Sequence, residues 1–261
     1  MRDWNKQIEE RLQRFRPIDD VFFEVLADDK EFCEEILRVI LQDEELQVIS
    51  VNVQKSVRNL VGRSVRVDAF CILGNGTRAN IEVQRSDNDD HLRRMRYNSS
   101  CITASVTEPG ERFENVPDVT VVYISEFDLF KGNYTTYHVI NILAENGEIV
   151  DSGLHMICVN AKVNDGSEIA ELMQCFMQTE VNNDKFEVFT RRMNYLKHSE
   201  RGRRYMCQIM DELLEEYAEE MKDNQIRRAL DKGRSIDVIA DCIDVPVDRV
   251  LEVRDRSMSL V

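Results

Sequence analysis

Apolar positions change their spacing several times along the chain, and each change marks an element. Ile8, Leu12 and Phe15 recur at i, i+4 and i+7, a helical period that Pro17 ends. Asp19 or Asp20 then offers an N-cap for a second helix, and Lys30–Leu41 predicts a third, with Phe32, Ile36, Val39 and Ile40 on one face. Over 46–58 the pattern turns to alternation, the mark of a strand, and 64–85 reads as two strands about Gly74-Asn75-Gly76. Residues 90–106 return to helix. Val119–Ser125 reads as a short buried strand, and 134–143 and 154–159 as two more, with the turn at Asn146-Gly147 between them. From about Ser167 onward the period is helical. Strands mixed with helices and then helices alone predict an α/β or α+β core over 1–200 and a helical C-terminal extension over 201–261.

The two strands around Gly74 carry enough pattern to set their register. Odd positions are apolar in both: Val65, Val67, Ala69, Cys71 and Leu73 in the first, Ala79, Ile81 and Val83 in the second. Even positions hold Arg66, Asp68, Arg78, Asn80, Glu82 and Gln84, beside the apolar Phe70 and Ile72. A two-residue Asn75-Gly76 loop would set odd positions against even ones and break the apolar face. A three-residue loop sets odd against odd, with Gly76 left-handed, so the pattern selects it. That register puts Asp68 opposite Glu82 and Arg66 opposite Gln84. Opposed Cβ atoms lie about 4.5–5.5 Å apart, where two like charges repel. A divalent cation such as Mg²⁺, which takes one or two carboxylates and keeps several waters, relieves that repulsion. Neutralisation by Arg66 and Arg78 does so equally well, and spacing alone leaves both open.

Composition narrows the class. The chain has 261 residues, 34 Lys+Arg against 49 Asp+Glu, a net charge of −15 and 43% hydrophobic residues, too many for a disordered chain. The start has no apolar signal core and no apolar run approaches a membrane span, so a cytoplasmic protein without a membrane partner is expected. Seven cysteines without a C-x-x-C pair predict reduced, buried thiols rather than a zinc site. The acidic total opposes indiscriminate nucleic-acid binding, yet residues 55–96 hold nine Lys/Arg against five acids. Residues 211–223, with seven acids and one Lys, read as a solvated helix face. The closing KGRSIDVIADCIDVPVDRVLEV has a helix-turn-helix outline, but Asp237, Asp241, Asp244 and Asp248 interrupt it where phosphate contacts need a basic stripe; packing or oligomerisation fits it better. There is no G-x-x-x-x-G-K-[ST] loop, and the four histidines lack metal-protease spacing.

Asp68-x13-Glu82-x-Gln84 resembles the catalytic signature of the PD-(D/E)XK nucleases, and the chain as a whole is similar to the PD-(D/E)XK family transposases. Asp20-x-x-Phe23, the hairpin GRSVRVDAF…GTRANIEVQR, the helix RRMRYNSS with Arg94 and Tyr97, and GERFENVPDVTVVYISEFDLF follow the family's order over about 17–135. The resemblance implies a restriction-endonuclease-like mixed sheet flanked by helices and metal-dependent hydrolysis of DNA phosphodiesters. It implies Mg²⁺, with Mn²⁺ as a substitute, on Asp68, Glu82 and the carbonyl of Val83, with Asp20 as an outer contact or merely a helix cap. Gln84 stands where the superfamily has Lys, able to orient a water but carrying no charge. Arg94, Tyr97, Arg66 and Arg85 are the implied contacts to DNA phosphates; Arg94 pairing with a site carboxylate and Tyr97 as a buried ring are the alternatives. Glu24 and Asn98 depart from the family's Lys and second Tyr. DNA is the implied partner, with a homodimer where both strands are cut. A nuclease fold that has lost cleavage and serves as a DNA-binding or assembly module is the competing expectation.

Overall fold

A computed structural model describes residues 12–57, 65–88 and 90–258. Ile8, from the first expected helix, lies outside them; Leu12 is buried, and the Phe15 ring stacks on Phe22 with centroids 6.0 Å apart. Helix α1 is Asp20–Ala27 and α2 is Lys30–Leu41. The Asp29 carboxylate accepts the Glu31 amide to start α2, and left-handed Gln42 ends it. The buried stripe of α2 is Phe32, Cys33, Ile36, Leu37 and Ile40, with Val39 only half-buried. The stripe is turned from the expected face because the sheet does not cover α2 alone: two later helices, α4 (Glu168–Phe176) and α5 (Glu187–His198), also pack on it. Phe23, Phe32, Phe176 and Phe189 join these helices, with ring centroids 4.8–6.4 Å apart.

The sheet has six strands: β1 (Val48–Val57), β2 (Val65–Leu73), β3 (Arg78–Gln84), β4 (Val119–Ser125), β5 (Thr136–Val139) and β8 (Leu154–Asn160), in the order β1-β2-β3-β4-β8-β5. β1, β2 and β3 run antiparallel; β3, β4 and β8 are parallel; β5 closes the edge antiparallel to β8. Helix α3 (His91–Val106) is the crossover between the parallel strands β3 and β4. It lays Met95, Cys101 and Ile102 on Phe70, Val121, Tyr123 and Cys158, while α1 and α2 contact the β1–β3 end of the sheet.

The β2–β3 hairpin has the register that its apolar positions select, with Ala69 opposite Ile81, Cys71 opposite Ala79, and Gly76 at φ 90°. Its ladder stops at Ala69 and Ile81, so Arg66 does not reach Gln84 across it; the ladder partner of Arg66 is Ser56 of β1. The expected strand 134–143 is also corrected. It splits into β5 and β6 (Asn141–Ile142), and Asn146-Gly147 closes β6 onto β7 (Ile149–Val150) in a separate two-stranded sheet. Val139 pairs with Met156 but Asn141 with Val150, so residues 151–153 bulge out and no single ladder can continue.

The chain divides into two compact units, the first running to Met206 and the second comprising Cys207 onward. Helix α6 (Glu200–Asp231) begins in the first. In the second, Ile226 packs with Ile239 and Ala240 of α7 (Ile236–Ile243) and Val250 and Val253 of α8 (Val247–Met258), with left-handed Asp244 turning the chain between the two short helices. No described helix is long and apolar enough to cross a membrane.

Candidate active site

Asp68 and Glu82 are the next residues beyond the last β2–β3 ladder pair, and both lie on the sheet face that α3 covers. There the two backbones part, and the side chain replaces the ladder: the Val83 amide donates to Asp68 Oδ2 at 3.0 Å. Burial and the neighbouring Glu82 carboxylate push the Asp68 pKa well above the usual carboxylate range, against the pull of the Val83 amide and Arg94. Glu82 is fully buried. Its Oε1 accepts from the Asn80 carboxamide at 2.8 Å and from the Asn98 carboxamide at 2.5 Å. Its Oε2 has no hydrogen-bond partner among the described residues, and the Arg94 Nε stands 3.7 Å away.

Helix α3 delivers the remaining polar groups. Asp90 caps it by accepting the Arg93 amide, which fixes its start beside the end of β3. Arg94 and Asn98, spaced i and i+4, both reach Glu82, and Arg94 Nη1 also donates to Gln84 Oε1 at 3.1 Å. Gln84 in turn donates to the Ser86 carbonyl at 3.0 Å. Tyr97 packs, half-buried, against the core beneath α3. Asn80 and Asn98 were not among the residues picked out as functional. Asn80 carried a signal, since it lies two residues before Glu82 and so shares its face; the place of Asn98 one turn beyond Arg94 does not by itself tie it to Glu82.

Asp20 opens α1 at the exposed rim, where crowding raises its pKa, chiefly by desolvation, with Arg94 and Arg85 opposing. Its neighbour Asp19 occupies the N-cap position without capping. The Asp19 carboxylate instead accepts the Arg16 amide at 2.8 Å and pairs with Arg85 at 2.8 Å. Arg85 also reaches Glu126 at 3.5 Å, and Arg16 holds Glu126 through two bonds at 3.1 and 2.8 Å, which lowers the Glu126 pKa. Arg85 is thus committed to two acids, although half of its side chain is exposed. Arg66 is exposed on β2, and Glu24 lies one turn along α1 from Asp20. His91 is a buried connector, its ring bridging the Tyr123 hydroxyl at 2.8 Å and Asp87 at 3.2 Å.

These donors fit a hard divalent cation of modest demands. Among the described residues no three acids, histidines or cysteines gather closely enough to enclose an ion. Two carboxylates do converge, one held proton-prone by desolvation and by the other's charge, and the buried Glu82 Oε2 lies without a hydrogen bond, 3.7 Å from Arg94 Nε. Oxygen donors of that number suit a divalent cation whose coordination is completed by water. A family model described as PD-(D/E)XK nuclease family transposase matches residues 19–235. No curated protein and no solved structure matches the chain.

Proposed function

We propose that this chain, which belongs to the PD-(D/E)XK nuclease family transposases, is a Mg²⁺-dependent endonuclease that hydrolyses DNA phosphodiesters at Asp68 and Glu82. One observation carries the reading. Glu82, fully buried, offers an oxygen that no described residue hydrogen-bonds, beside a second carboxylate that its charge destabilises. Burying such a pair is costly unless a cation compensates it. Asp68 and Glu82 would hold the ion, with the Val83 carbonyl and Asp20 as further oxygens. A cation bound there supplies Lewis-acid polarisation of the phosphodiester and lowers the pKa of a water at neutral pH. Gln84 orients that water through its carboxamide. Arg94, anchored on Gln84, brings the positive charge that Gln84 lacks and stabilises the charge growing on the phosphate. Arg66 and Tyr97 contact flanking phosphates.

Plasmid nicking in Mg²⁺ or Mn²⁺ tests the reading, beside Asp68→Asn and Glu82→Gln. Loss of cutting in both variants is expected; cutting that persists in both, or wild-type protein inert at every ion and salt concentration, overturns it. A second reading has its own support. Arg85 is engaged by Asp19 and Glu126, and Arg94 already lies against Glu82. A protein that binds DNA through this fold without cutting would retain a DNA mobility shift in both variants and show no nicking in any. If both strands are cut, one site per chain calls for two copies, and sedimentation with and without DNA reads that directly.

A further inference from the structure

Asn80 of β3 and Asn98 of α3 reach Glu82 from two directions, and both are buried. Each donates its amide to the same oxygen, Oε1, and neither touches Oε2. Two donors anchored on different backbones fix the plane of a carboxylate, where one would let it swing. Their orientation follows from chemistry, since a flipped amide would set a carbonyl against the carboxylate. Folding does not explain Asn80. Its own Oδ1 is buried with no hydrogen-bond partner among the described residues, a cost that an aliphatic side chain at the same strand position would avoid.

We infer that Asn80 and Asn98 are positioning residues that pin Glu82 by Oε1 and leave Oε2 as its one ion-binding oxygen. The inference rests on the ion site proposed above and deepens it. The test is titration of the full chain with Mn²⁺ alone, followed by the paramagnetic resonance of the free ion, with thermal melting of each protein in a chelator. Asn98→Leu is expected to weaken Mn²⁺ binding about 10- to 100-fold, the usual effect of removing a group that orients a metal ligand. Its cation-free melting temperature should stay well above the temperature of the titration, so that the loss is read on folded protein. In a Glu82→Gln background the same change should bring no further loss, because the residue it positions is gone. Asn80→Val should behave alike, and Asn98→Ser, too short to reach Oε1, replaces the leucine variant if that one does not fold. Wild-type affinity in the Asn80 and Asn98 variants, or equal losses with and without Glu82, overturns the inference while leaving the ion site standing. Wild-type protein that binds no Mn²⁺ removes both.

Discussion

Asp68 carries a conflict that the free protein cannot resolve: it lies half-buried next to the fully buried Glu82, with the Val83 amide and Arg94 favouring its charge. Its folded pKa lies above the ordinary 3.8. The folded state therefore holds that proton more tightly than the unfolded one. The stability this contributes is full below pH 3.8 and is lost as pH rises through the folded value. Above that value, without a cation, the penalty is complete. Asp68→Asn should accordingly raise the melting temperature of the cation-free protein, by about 2–4 °C for each kcal/mol relieved in a domain of this size. The gain should shrink as pH falls toward 4, and calorimetry in chelator over a pH series checks both trends. Both acids were legible from strand alternation, because period two and loop length settle which side chains share a face. Asn98 was not, since it read as a departure from a tyrosine pattern; nothing in helix spacing tells that its amide meets a carboxylate on β3. Lys197 is a similar case. Its spacing gives no sign that it is buried with its ammonium on the carbonyls of Gln13, Phe15 and Thr179.

Helix α3 converts a local pattern into a site, because its i, i+4 spacing hands Arg94 and Asn98 to one carboxylate. The joint between α5 and α6 shows the opposite, an element boundary that depends on contact. Ser199 Oγ accepts the Gly202 amide at 2.9 Å and donates to the Tyr195 carbonyl at 2.7 Å, folding α6 back on the end of α5. A Cβ at Gly202 would overlap the Tyr195 carbonyl oxygen and stand 2.7 Å from its carbon. In an open helix Gly→Ala stabilises by up to about 1 kcal/mol. Here the backbone itself is in the way, so Gly202→Ala should destabilise by about 1–3 kcal/mol, as overpacking does, and lower the urea midpoint. The split of 134–143 into β5 and β6 has the same origin. Apolar spacing announced a strand, but which partner each half takes depends on strands elsewhere in the fold.

Taken together, the chain is acidic at −15 with a basic stretch over 55–96, so any DNA affinity should be salt-dependent and local. In a Glu82→Gln background, Arg66→Ala should flatten the plot of log affinity against log salt by about 0.9, the value of one phosphate contact. Arg85→Ala should change the slope by well under one contact, because Asp19 and Glu126 hold that guanidinium. Fluorescence anisotropy over a salt series separates them. The C-terminal unit keeps its own small core, and in α8 Arg249 is spent on Glu219, Asp223 and Glu252 and Arg254 on Asp255. Val253→Asp, placing a charge in that core, should reduce helical circular dichroism while Mn²⁺ binding by the first unit persists.

Alternation and loop length were enough to establish the β2–β3 register and so the shared sheet face of Asp68 and Glu82, although the ladder itself stops one pair short of them, and periodicity located α2, α3 and β4. Those features depend on residues close along the chain, whose geometry follows from period two or 3.6. The stripe of α2, the break after β5, the ion pairs that occupy Arg85 and the two amides on Glu82 depend on which distant segment arrives to cover a given side chain. Only packing decides that, because a buried polar group is defined by the partner it meets and not by its place in a pattern.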